Sequence, residues 1–329
     1  MILFKNQHND KLFLGHLVFF LYNQGMDYEN RDKLSLIKVE LAKEFVLLNV
    51  GDRLESITYY ENKFNVARGT IQNAIKSLCD DKAISIIAKG RNGTFLQNID
   101  YGKLQNDFGI GSLIGAFTMP ASITTKGLAT AFYKTLGSLD CSIVYARNAK
   151  IRIKMLQEGK CDFTVCSMHS AEKYLENNRH IKLLFNFGPY TYLSESILIF
   201  RDKEKKKLEP HMRIGYDPDN DDYTSMIDFV SKDIKNLQFV EVKNQKIPEA
   251  LQKGLIDVGV WAKADIQNFD FEFGFAKINS AYILDFTTAI LLIRNNDSLT
   301  EKLLGKYINI SAVVKTQYSV VNGLLDADY

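Results

Sequence analysis

The apolar positions between residues 56 and 96 follow a helical spacing twice and then an alternating one. Residues 56–64 and 68–78 are predicted as two short helices parted by Asn65, Val66 and Ala67, a turn that fits only a helix-turn-helix corner. In the second helix Ile71, Ala74, Ile75 and Leu78 recur at i, i+3, i+4 and i+7, so they share one packed face. The opposite face carries Arg68, Thr70, Gln72, Asn73 and Lys76, side-chain types that hydrogen-bond phosphates and base edges in a major groove. After a break at residues 79–82, alternation at Ile84 and Ile86 and the run from Lys89 through Gly90, Arg91, Asn92, Gly93, Thr94, Phe95 and Leu96 predict two strands with a basic, glycine-rich tip. This is a wing.

Upstream, Ile37, Leu41, Phe45 and Leu48 lie at helical spacing behind a cap at Ser35, and the helix ends near Asn49. Leu12, Phe13, Leu17, Phe20 and Leu21 place a further helix over residues 10–24, its apolar face covered either by its own domain or by a second copy of the chain. Residues 97–107 hold few apolar side chains and read as a linker. Beyond them, short strand-like runs alternate with helical stretches, as in an α/β domain with parallel strands. Residues 108–115 and 141–145 read as strands; 128–136, 149–157, 298–304 and 313–321 read as helices. The hydroxyl-rich loop at residues 118–127 follows the first of these strands, where open α/β sheets bind ligands, although an ordinary capped turn fits it equally.

One motif recurs at a constant offset of 95 residues. Leu156, Gln157, Gly159 and Asp162 match Leu251, Gln252, Gly254 and Asp257, and a strand follows each, at residues 163–165 and 258–260. Two tandem halves imply two similar lobes, each with a helix that stops at a glycine and feeds a strand through an aspartate. Residues 192–200 are the candidate crossing strand between the halves, and 287–293 the return.

Residues 51–96 resemble, without a gap, the winged-helix domain of GntR-type transcription regulators. The resemblance is carried by Gly51, Asp52, Arg53 and Leu54 at the pre-helix turn, by Val66, Ala67, Arg68, Gly69, Thr70 and Ile71 at the start of the recognition helix, and by the run from Gly90 to Leu96 at the wing. Three positions depart from the usual pattern. Glu55 stands in place of a proline, Thr58 in place of a DNA-contacting arginine, and Ala67 in place of a capping serine worth about 1 kcal/mol. The tandem halves resemble the type II periplasmic-binding-protein fold, in which two lobes close on a ligand. A winged helix joined to such a fold is similar to the YhfZ-type regulators, a GntR-related group. The expected fold is therefore α/β with an N-terminal winged helix-turn-helix and a two-lobed C-terminal domain.

Domain boundaries follow: residues 1–96 for DNA binding with the extra helix, 97–107 as linker, and 108–329 for effector binding. Lobe 1 is expected over about 108–195 plus 295–329 and lobe 2 over about 196–294. At 329 residues, 46% hydrophobic and 24% charged, the chain suits two or three packed domains. A net charge of +2 announces no global polyanion binding, so operator contact needs a local basic face, which Lys63, Arg68, Lys76, Lys89 and Arg91 can supply. Four cysteines, at positions 79, 141, 161 and 166, lack metal or disulfide spacing and read as free thiols of a reducing cytoplasm. Cys161 and Cys166, read as lying on one strand an odd number apart, are expected on opposite faces. The apolar run at residues 12–22 is too short to span a bilayer and lacks a cleavage site, so neither membrane nor export is expected.

The resemblance implies a cytoplasmic, dimeric, ligand-responsive regulator with a double-stranded DNA operator and a small-molecule effector, with no cofactor or metal. DNA contacts are expected from Ser56, Arg68, Gly69, Thr70, Gln72, Asn73, Lys76, Arg91 and Gly93. Effector contacts are expected from Thr118, Ser122, Thr124, Ser167, His169, Glu195, Tyr216, Asp217 and Trp261; for these, hinge ion pairing by Glu195, helix capping by His169 and core packing by Trp261 are the competing roles. The rival classes are an enzyme on a two-lobed α/β fold and an extracytoplasmic solute-binding protein. The five histidines pair with no nucleophile, acid or phosphate-loop motif, which counts against the first.

Overall fold

The computed structural model describes residues 33–108, 111–177, 180–268, 271–278 and 283–329, in two compact units that part at residue 110. The helix expected over residues 10–24 lies outside the described residues.

In the N-terminal unit, helix α1 (Lys33–Val46) buries Ile37, Leu41 and Phe45, so the predicted stripe is its packed face, although the helix begins two residues before Ser35. Helix α2 (Ile57–Phe64) starts at Ser56, whose Oγ accepts the Tyr59 N–H at 3.1 Å, and stops at Asn65 in the left-handed conformation, φ 50°. Helix α3 (Arg68–Asp80) buries Ile71, Ala74, Ile75 and Leu78. Its N-cap is Ala67, with no side-chain cap, as the departure from the usual serine predicts. Strands β1 (Ile84–Ala88) and β2 (Thr94–Ile99) pair antiparallel and form the wing. Residues 51–54 add to its edge: the Leu54 N–H donates to Thr94 O, the Leu96 N–H to Asp52 O, and Arg53 bridges Phe95.

The linker expected over residues 97–107 is corrected. Residues up to Ile99 complete β2, and Tyr101–Phe108 forms helix α4, which packs on α1. Asp100 caps it through the Lys103 N–H at 3.0 Å, Leu104 is fully buried, and the Tyr101 hydroxyl donates to Leu48 O at 3.2 Å.

The C-terminal unit holds two five-stranded sheets with the same plan. Lobe 1 contains β3 (Leu113–Phe117), β4 (Cys141–Tyr145), β5 (Phe163–Ser167), β6 (Ile181–Asn186) and β12 (Ala289–Arg294) in the order β4-β3-β5-β12-β6. Lobe 2 contains β7 (Ser196–Phe200), β8 (Arg213–Tyr216), β9 (Gln238–Glu241), β10 (Val258–Ala262) and β11 (Gly274–Lys277) in the order β11-β7-β10-β8-β9. In each, four strands run in one direction and one, β12 or β7, runs antiparallel to its two neighbours. That opposed strand comes from the other side of a chain crossing: β7 enters lobe 2, and β12 returns to pair with β5 and β6. The boundary expected at residue 294 is corrected accordingly: residues 289–294 are a central strand of lobe 1, placed there by non-local pairing that a linear division of the sequence misses.

The repeated motif is a repeated backbone device. Helix α6 (Ala149–Gln157) ends with Gly159 at φ +69°, and helix α9 (Ile247–Gln252) with Gly254 at φ +68°. The Lys160 N–H donates to Met155 O and the Leu255 N–H to Ala250 O, a Schellman closure in both places. The aspartates then stitch each new strand to a parallel neighbour, β3 in lobe 1 and β8 in lobe 2. Asp162 accepts the Ile114 N–H at 2.8 Å, and Asp257 accepts the Arg213 N–H at 3.0 Å.

Helix α5 (Ile123–Leu136) follows β3, α7 (Met168–Asn177) follows β5, and α8 (Asp221–Ser231) follows β8; the short α10 (Leu284–Thr287) precedes β12. After α11 (Ser298–Tyr307), helix α12 (Ile310–Val321) lies on α5, where buried Gln317 donates to Thr124 O and Thr191 O at 3.0 and 2.6 Å. Cys161 and Cys166 share one core cluster of lobe 1. Cys161 precedes β5, so strand alternation does not govern it, and the expectation of opposite faces fails. Burial pushes both thiols up to about 12.

Candidate functional site

On the winged helix, Arg68, Gly69, Gln72, Asn73 and Lys76 are exposed along one face of α3, with Thr70 half-buried beside them. Arg91 stands exposed at the wing tip. Gly93 is required there: its φ is +95°, and a Cβ would lie 2.6 Å from Arg53 Nε. Arg53, read from sequence only as part of a turn, is thereby seated against the wing. Ser56 serves as the cap of α2. Lys63 does not join the basic face; it pairs with Glu44 at 2.7 Å, which raises its pKa. Arg68 faces Glu61 at 3.7 Å, an exposed pair weak enough to exchange for a phosphate.

In the C-terminal unit a cleft of about 380 Å³ opens between the lobes. It lies beyond the carboxyl ends of the parallel strands, where the loops after β3, β4, β8 and β9 and the end of β10 converge. Thr118, Ser122, Asp217 and Trp261 line it, as expected from sequence. The other five expected residues do not. Thr124 is buried in the first turn of α5, with its carbonyl on Gln317. Ser167 donates to Asp222 at 2.7 Å, and His169 meets Ser225 at 3.1 Å while its ring lies on Phe286. Glu195 pairs with Lys263 at 2.6 Å, which holds its carboxyl below the usual range. Tyr216 sets its ring edge against Phe239.

Residues that the sequence reading passed over complete the lining, chiefly Arg147, Tyr192, Asp219, Asp222, Tyr223, Lys243 and Asp265. Arg147 and the N-cap Asn148 begin α6, as Asn220 begins α8; a polar cap directly after a strand is the signal that marks these positions. Tyr192 accepts from Nη2 of Arg152, a guanidinium only 1% exposed, at 3.0 Å. Lys243 holds Asp219 at 2.6 Å and lowers its pKa, and Asp217 accepts the Asn244 N–H at 2.9 Å.

Two lobe 2 carboxylates that line the cleft also bond to lobe 1. Asp222, from lobe 2, accepts the hydroxyls of Ser167 and Ser170, from lobe 1, at 2.7 and 2.8 Å. Asp265, in the turn Lys263–Asn268, accepts the Ile123 N–H at 3.1 Å at the start of α5. Burial raises the pKa of both carboxyls; the serine hydroxyls and the Ile123 amide oppose it.

A helix-turn-helix domain profile matches residues 49–96, and the profile of the YhfZ C-terminal domain matches residues 100–329. The chain is 27% identical over 302 residues to the Escherichia coli (strain K12) protein called "Uncharacterized protein YhfZ", spanning 90% of this chain and 98% of that one. It is similar to the crystal structure of YhfZ from Shigella flexneri, with 25% identity and a TM-score of 0.52 over 67% of this chain and 100% of that one. The alkanesulfonate-binding protein SsuA from Xanthomonas axonopodis pv. citri, solved with MOPS, aligns at 11% identity and a TM-score of 0.46 over 64% of this chain and 79% of that one. No helix among the described residues is long and apolar enough to cross a membrane. With the larger profile extending over most of its length, the chain belongs to the family defined by the YhfZ C-terminal domain.

Proposed function

We propose that this chain is a DNA-binding transcription regulator of the GntR type, a cytoplasmic homodimer that senses a small molecule in its interlobe cleft. The observation that carries the reading is the division of α3: one face is fully packed, and the other presents Arg68, Gln72, Asn73 and Lys76 to solvent, followed by a wing tipped with Arg91. The same chain carries a cleft at strand ends, the usual place of a ligand in an open α/β lobe. Effector occupancy shifts operator affinity by a coupling of about 1 to 3 kcal/mol.

Selection of duplexes from a random library by the full chain tests DNA reading. An enriched, inverted-repeat sequence is expected, and Arg68→Ala should abolish its specific retention while the C-terminal unit melts unchanged. Recovery of no preferred sequence, or equal retention by Arg68→Ala, would sink the assignment.

A further inference from the structure

The charges lining the cleft are unevenly answered. Its four carboxylates, Asp217, Asp219, Asp222 and Asp265, all come from lobe 2. Lys243 holds Asp219 and reaches Asp217 at 3.5 Å, and Arg147 is within electrostatic reach of Asp219. Asp265 has the Ile123 N–H. Asp222 stands apart: it is 5% exposed, borders the cleft, and both of its hydrogen bonds fall on Oδ1. No donor among the described residues reaches its Oδ2. Arg152 and His169 act on it electrostatically without donating to it; Arg152 donates instead to Ala146 O and Tyr192.

A carboxylate on a largely buried residue that borders a cavity is costly until a donor meets it there, and a charged N–H meets it best. Tyr192, Tyr223 and Trp261 line the same cleft, and aromatic faces favour cations. The lining thus offers a carboxylate and rings to a positive group, while its Lys243 is engaged with Asp217 and Asp219.

Resting on the reading of this cleft as the effector site, we propose that the effector is a small organic amine whose ammonium group donates to Oδ2 of Asp222 beside the aromatic rings.

Thermal melting of the full chain at neutral pH tests this with probe pairs that share a carbon skeleton: butylamine and butyrate, putrescine and succinate, 3-phenylpropylamine and 3-phenylpropionate. Amines are expected to raise the melting temperature and acids not to. Asp222→Asn keeps an oxygen for both serine hydroxyls, and calorimetry should show amine binding weakened on the order of 30-fold or more. Glu195→Gln, away from the cleft lining, should bind as the wild type does. N-acetylation of the amines removes their charge and should abolish binding to the unmodified chain, an answer that does not depend on how any variant folds. Amine binding undiminished by Asp222→Asn or by acetylation overturns the proposal. Stabilisation by the acids alone overturns it too, yet leaves the sensor reading standing; silence from every probe removes both.

Discussion

The two lobes share a scaffold and differ in their chemistry. Gly159 and Gly254 adopt the same left-handed turn, Asp162 and Asp257 make the same strand stitch, and the sheets have the same order. Yet lobe 1 brings hydroxyls, Arg147 and Tyr192 to the cleft, whereas lobe 2 brings every lining carboxylate. Equivalent strands and helix stops carry the packing. The loops just beyond them, free of that duty, carry the difference.

Substitutions in the core should separate the lobes most and those at the surface least. Phe163 and Val258 occupy matched first positions of β5 and β10, both fully buried. Phe163→Ala should cost about 3 to 5 kcal/mol by chemical denaturation. Val258→Ala should cost about 2 kcal/mol. Losses in that proportion would show that both matched sites are filled core positions, each scaled to its side chain. Next in size, Gly159→Ala and Gly254→Ala should each cost about 1 to 2 kcal/mol, because a Cβ strains the left-handed conformation. A loss at one glycine only would end the claim of a shared device.

A pH series separates the walls of the cleft. Burial raises the folded pKa of Asp222, so its contribution to stability is full below the ordinary carboxylate value and fades as pH rises through the folded value. Asp222→Asn lacks that dependence. Its melting temperature relative to wild type should therefore climb as pH rises above the ordinary carboxylate value. A flat difference would mean that the carboxyl is not held up by its surroundings. The smallest effect is expected at Glu195→Gln, an exposed pair whose loss should move stability by no more than about 1 kcal/mol.

Local order was legible in the sequence where one spacing decided it. The stripe at Ile71, Ala74, Ile75 and Leu78 gave α3 its packed face, and the recurring Gly and Asp gave the two helix stops. Helix α4 escaped because Tyr101 and Leu104 supply its described apolar contacts amid polar neighbours, and Asp100 reads as loop until its capping bond is seen. The return of residues 289–294 to lobe 1 is a matter of pairing between distant strands, which no local spacing encodes. At the cleft, strand ends pointed to Thr118, Ser122, Asp217 and Trp261. They pointed equally to Ser167 and His169, which are spent on contacts between the lobes. Asp222 was hidden because an acidic residue in the first turn of a helix already has an ordinary role there.

Occupancy of the cleft is proposed to alter DNA reading, and one titration tests that joint directly. Fluorescence anisotropy of the selected duplex, bound by the full chain with and without a cleft ligand that raises its melting temperature, should show apparent affinity changing by about 5- to 150-fold. Identical binding curves, with calorimetry showing the ligand bound throughout, would contradict it.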